Sequence, residues 1–156
     1  MDANGTESRT STRDGRTAAD AALDVAVGVR IEGYRWVEWS HGALRGAPID
    51  QPGKFLGHPG DLLSHLYVEA SPDALTAPEP YRHLPPYASD AGFAVRAGER
   101  AGMFRGRGLR LSCSPMGRWR VEVDDPELSL EDDRLPRLLC RAVLRWLDLT
   151  SPEEAP

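Results

Sequence analysis

Residues 109–123 read LRLSCSPMGRWRVEV. On either side of Pro115, Met116 and Gly117 the chain alternates between apolar and polar residues. Leu109, Leu111 and Cys113 share one face of the first half, and Trp119, Val121 and Val123 share one face of the second. Side chains of a strand point to opposite faces in turn, so this pattern around a central turn predicts a β-hairpin with one apolar and one polar face. Such a sheet needs apolar cover, and the sequence supplies it on both sides.

Downstream, residues 135–149 read LPRLLCRAVLRWLDL, in which Leu135, Leu138, Leu139, Ala142, Val143, Trp146 and Leu147 fall on one helical stripe. Asp133 is the expected N-cap, with Pro136 in the first turn. Arg137, Arg141 and Arg145 follow at helical spacing and are assigned to the outer side. Upstream, GMFRGRG at 102–108 leaves a helix rather than opening one, so it reads as a connection and not as a phosphate loop. The helix it leaves runs from Asp90 to about Ala101 and presents Phe93, Ala94, Ala97, Gly98 and Ala101, a narrow small-residue face suited to close packing on a sheet. Before it stands HLPPYASDAG at 83–92. The tandem proline enforces extended backbone, and Ser89 is the expected N-cap. Tyr87 follows Pro86 directly, which breaks the Pro-Pro-x-Tyr ligand pattern, so the stretch reads as a helix start.

At the other end, Leu23, Val27 and Ile31 recur at helical spacing, which predicts a first helix over 17–32 that Gly33 closes in a left-handed cap. YRWVEW at 34–39 reads as a strand with Tyr34 and Trp36 on one face. Residues 1–16 are polar and predict a disordered tail, and residues 151–156 a frayed end. Residues 40–84 hold six of the thirteen prolines and read as a long irregular insertion, within which LLSHLYVEA at 62–70 fits either a strand or a short helix. The expected fold is one α+β domain over 17–150. Its order is helix, strand, irregular insertion, helix, hairpin, helix, with helices packed on a small antiparallel sheet as a layered α/β/α sandwich.

Composition narrows the function classes. The 156 residues carry 24 Asp and Glu against 19 Lys and Arg, a net charge of -5, which disfavours a dedicated nucleic-acid-coating protein. Lys54 is the only lysine, as a GC-rich genome would produce. No apolar run has the length of a membrane span, and the first twenty residues lack the core of a secretion signal. Cys113 and Cys140 have no metal-type spacing and are assigned to the core, which fits a reducing, cytoplasmic location.

Four segments together resemble the phage ABA-sandwich domain of small phage and prophage proteins. They are GYRW at 33–36, LPPYASD at 84–90, GRWRVEV at 117–123 and LPRLLCRA at 135–142. The matching regions span about 25–36 and 84–149. The chain departs from the family pattern in its polar N-terminal tail and in the longer stretch between Trp39 and Leu84. The resemblance implies the layered fold and a mobile-element origin. It implies no reaction and supplies no catalytic residues.

His58, His65 and His83 with Asp61 all fall in the insertion, too widely spaced for a zinc site, and are assigned to solvated loops. No nucleophile elbow or P-loop occurs, so no catalytic residue, metal or cofactor is assigned. Arg110, Arg118 and Arg120 share the hairpin's polar face, with Arg105 and Arg107 just before it and Glu122 and Asp124 as counter-charges. Guanidinium groups grip phosphate and carboxylate in bidentate fashion, which makes these arginines the candidate ligand-binding set. Tyr87 and Ser89 join them as the expected lining of an anion pocket at the helix start. The expected function is a non-enzymatic binding or assembly module of phage or prophage type. Its ligand would be a small anionic, phosphate-bearing molecule, and a homodimer is the expected assembly. The alternative is an acidic protein that neutralises a protein partner through Asp124, Asp125, Glu127, Glu131, Asp132, Asp133 and the insertion. An enzyme would need one of His58, His65 or His83.

Overall fold

The structure is a computed structural model that describes residues 17–39, 54–58, 67–69 and 84–151. The expected disordered tail and frayed end, most of the insertion, and His65, His83 and Asp61 lie outside these residues.

Helix α1 spans Ala18–Val27 and is capped by Thr17, whose hydroxyl accepts the Asp20 N–H at 3.1 Å. It runs on as a π-helical turn, Gly28–Glu32, and ends at Gly33 with φ 75°. Gly28 has a packing reason: a Cβ there would stand 2.8 Å from Leu84 Cδ2. Strand β1, Arg35–Trp39, follows. The insertion then contributes two strands that pair antiparallel on either side of β1: β2 at Lys54–Gly57, which its composition hid, and β3 at Tyr67–Glu69, within the 62–70 segment that fits either a strand or a short helix. Trp36 pairs with Leu56, and these two join Tyr34, Leu84 and Val25 of α1 in a small core.

The Pro-Pro-Tyr segment is pinned from α1. The Ala88 N–H donates to Asp24 Oδ1 at 2.7 Å, and Pro86 O accepts the Asp90 N–H at 2.8 Å. Helix α2 then spans Ala91–Arg100. Its N-cap is Asp90, not Ser89: the carboxylate accepts from the Gly92 and Phe93 amides at 2.8 and 3.2 Å. Its small-residue face, Ala94, Ala97 and Gly98, is buried as expected, but against a helix rather than a sheet.

Strands β4 (Arg110–Cys113), β5 (Trp119–Val123) and β6 (Leu128–Asp132) form a second antiparallel sheet in that order. The hairpin is present as read; β6 was not foreseen. Helix α3, Leu135–Thr150, lies on β5 and β6, and α1 and α2 pack on α3. Val121 and Val123 meet Leu138, Leu139, Val143, Tyr87 and Met103 in the main core. Burial of such side chains stabilises by about 1.5–3 kcal/mol each. The architecture is α+β. The helix layer stops short of β4, so Leu111 stays 48% exposed and Cys113 is exposed, contrary to its assignment to the core. Cys140 is fully buried as expected. Among the described residues no helix is long and apolar enough to cross a membrane.

Candidate functional site

The open face of the β4–β6 sheet gathers Arg110, Arg118 and Arg120 as the alternation required. It also gathers their counter-charges. Arg110 donates to both carboxylate oxygens of Asp124, at 3.2 and 2.7 Å, and lies 3.6 Å from Glu122. Arg120 stands opposite Glu131 across β5 and β6 and donates Nε–H to it at 2.6 Å, with Nη2 on the same oxygen. The hydrogen bond to Asp124 is the main reason that the Arg110 charge is held more firmly than usual, and the hydrogen bond to Glu131 does the same for Arg120. Arg118 has one long ion pair, 3.9 Å to Glu131. Two of the three candidates are therefore neutralised within the sheet, and Arg118 is the one held loosely. Arg105 and Arg107 are exposed beside the face.

Tyr87 and Ser89 do not join them. Tyr87 is 2% exposed and packs edge-on to Phe93 within the main core, below the opposite face of β5. Buried there, it lines no open anion pocket; the same burial, first of all, raises its hydroxyl pKa. Ser89 is exposed, and the amides it was expected to offer an anion are taken by Asp90. His58 is exposed and sets its ring edge-on to Tyr34 at 5.3 Å. Among the described residues no group of His, Cys, Asp or Glu is arranged to hold a metal ion.

The polar cleft lies at the seam of β5, β6 and the start of α3. It is an open groove of about 370 Å³ lined by Arg118, Glu131, Asp132, Asp133, Arg137 and Arg141. Its floor is the Asp132 carboxylate, 6% exposed. Oδ1 accepts the Arg134 N–H at 3.2 Å, and Oδ2 accepts from Arg141 Nη1 at 2.9 Å. Burial works to raise the Asp132 pKa. Side-chain contact with Asp133, the hydrogen bonds from Arg134 and Arg141 and the Arg137 charge outweigh it, and the net shift is downward. Arg137 and Arg141, assigned to an outer face, are thus turned inward to this acid. Arg137 Nε stands 3.3 Å from Asp132 Oδ2, yet it is buried without an aligned acceptor. The N-cap of α3 is Arg134 rather than Asp133, with no side-chain hydrogen bond closing the helix end. Arg134 also reaches Asp20 of α1 at 2.5 Å. Asp20 is 3% exposed; burial raises its pKa, but hydrogen bonds from Arg134 and Thr17 and the nearby positive charges bring it below the usual range.

Sequence reasoning missed Arg134 and Arg137 as site residues, placed Asp132 only in an acidic partner-binding surface, and missed Asp20 and Asp24 as buried acids. One signal was present. Positions 20, 24, 27 and 31 share a helical stripe, so the two aspartates sit on the apolar face of α1. Searches against protein-family models, curated proteins and solved structures give no match to this chain.

Proposed function

We propose that the protein is a non-enzymatic binding module of phage or prophage type, resembling the ABA-sandwich domain. In this reading it holds a small anionic, phosphate-bearing ligand in the groove at the start of α3. One observation carries the reading: the buried Nε–H of Arg137 has no aligned acceptor, its carboxylate neighbour Asp132 Oδ2 standing 3.3 Å away off its axis. Buried donors are nearly always satisfied, and an oxyanion in the groove would satisfy this one. Arg118 sits on the rim with only a 3.9 Å pair to give up, and the helix dipole of α3 favours negative charge at the same end. Arg110 and Arg120 would have to abandon closer carboxylates to take part.

The test is calorimetric titration of the protein with inorganic pyrophosphate, alongside native mass spectrometry of the freshly purified chain. A charge-assisted hydrogen bond contributes about 1.5–3 kcal/mol, so Arg137→Gln and Arg118→Glu should each weaken binding by about tenfold or more. Arg110→Glu should leave it within about twofold, being outside the groove. Equal affinity for the wild type and Arg137→Gln would refute the assignment. The second reading, an acidic protein that neutralises a protein partner, keeps Asp125, Glu127 and Asp133, which are exposed. It ranks below the first because Asp124, Glu131 and Asp132 are held by arginines of the chain itself. A stoichiometric protein in a lysate pull-down would reverse the order.

A further inference from the structure

The two edges of the β4–β6 sheet are finished differently. The Ser114 N–H donates to Arg118 O at 2.8 Å, which makes this a hydrogen-bonded pair of the β4–β5 ladder. Such pairs alternate along an antiparallel ladder, so Ser112 and Arg110 also turn their backbone groups inward. Within β4 the N–H and C=O groups of Leu111 and Cys113 therefore point out of the sheet, and continued alternation does the same for Leu109, which directly precedes the strand. None of the three has a hydrogen-bond partner for these groups among the described residues. By the same alternation β6 turns Glu131 outward, and there Arg141 Nη1 donates to Glu131 O at 3.2 Å. On β6 one outward carbonyl is taken by a guanidinium, whereas on β4 none of these outward groups has a partner among the described residues.

The β4 edge also carries uncovered apolar surface. Leu109 packs partly on the main core, but Leu111 is 48% exposed and Cys113 is exposed on the same face, beyond the reach of α3. Natural sheets blunt such edges with charged side chains, proline or a bulge; β4 itself has no proline, and its one charge, Arg110, lies on the open face bound to Asp124.

We propose that β4 is a homodimer interface, on which a second copy of this chain adds its own β4 antiparallel about a two-fold axis. The sequence of the strand selects that occupant and its register. Opposite residues in an antiparallel pair point to the same face, so Leu109, Leu111 and Cys113 must face one another to keep the apolar surface continuous. With Leu111 opposite Leu111, Leu109 stands opposite Cys113 of the second copy, and every outward backbone group finds a partner. A shift by two residues would set Leu109 against Pro115, which has no N–H to give. In the favoured register Arg110 faces Ser112 of the second copy rather than a like charge. The diagonal Arg110 pair is screened because each guanidinium is already bound to Asp124. The two open faces then form one continuous surface.

Sedimentation velocity over a concentration series tests this, with circular dichroism of each variant to establish folding. The wild type should reach twice the chain mass as concentration rises. Leu111→Lys charges the exposed edge, and Leu111→Pro deletes an outward N–H without removing a bond to β5. Each should be monomeric where the wild type is dimeric. If the proline variant loses its circular dichroism, the lysine variant decides. Hydrogen exchange gives a second readout: the Leu111 and Cys113 amides should be slow in the dimer and fast in Leu111→Lys. A wild type that is monomeric at every concentration overturns the proposal. So does a dimer that survives in folded Leu111→Lys.

Discussion

Asp24 fastens two parts of the chain that are far apart in sequence, and removing it should show what that bond contributes. Its Oδ1 accepts the Ala88 N–H at 2.7 Å from a side chain with no solvent exposure, and Ala88 itself is 1% exposed. Asp24→Ala leaves a buried amide without an acceptor, at a cost of about 1–3 kcal/mol, and deletes a charge-assisted bond. Relief of the buried carboxylate offsets part of this. The net destabilisation should be about 2 kcal/mol, a large share of the roughly 5–15 kcal/mol typical of a domain. With a urea slope of about 2 kcal/mol per molar, the unfolding midpoint should fall by about 1 M. Asp24→Asn keeps an oxygen toward Ala88 and should lose about half as much. Tryptophan fluorescence reports the transition well, because Trp36 and Trp146 are both nearly buried. An alanine variant within about 0.5 kcal/mol of the wild type would show that the turn holds itself and that the clasp is incidental.

Other consequences follow from the same buried groups. Cys113 is exposed, whereas burial first, and then the charges of Asp24 and Asp20, push the Cys140 thiol up to about 12. A maleimide should therefore label one cysteine in the native protein, and peptide mapping should place the second label at Cys140 only after denaturation. Asp20 and Asp132 both have lowered folded-state pKa values. Their contribution to stability is complete above about pH 4, near the unfolded value, and is lost as pH falls through the lower folded values. Urea midpoints should hold steady above that pH and decline below it, with a smaller decline in Asp20→Asn. A midpoint indifferent to acid would contradict the Asp20–Arg134 and Asp132–Arg141 pairings.

The hairpin and α3 were legible because their apolar periods are unbroken over many residues. β6 was not, although Leu128, Leu130 and Asp132 alternate as a strand should. Its third inward position is an aspartate, satisfied by arginines of α3 that a local pattern cannot see. β2 was hidden by the prolines and glycines around it, and at β3 the local pattern fits a strand and a short helix equally. Alternation correctly placed Leu111 and Cys113 on one face, but it cannot say how far a helix reaches across a sheet. The capping errors were a single residue each. At α2, both Ser89 and Asp90 are good caps, and the one whose side chain reached two amides prevailed.

The arginine face shows why a site is harder to read than a fold. On the hairpin alone Arg110, Arg118 and Arg120 outnumber Glu122 and Asp124. Adding β6 puts Glu131 opposite Arg120, and the excess disappears. What remains poorly partnered is the rim Arg118 and the Nε of Arg137, one from a strand and one from a helix that only tertiary packing brings together. The residue that orders this junction is Arg134. Its N–H holds Asp132 at the floor of the groove, and its guanidinium holds Asp20 on α1. An anion that drew Arg137 away from Asp132 would leave that carboxylate more dependent on Arg134 and Arg141. Arg134 thereby links the floor of the groove to α1 through bonds that no single segment of the sequence contains.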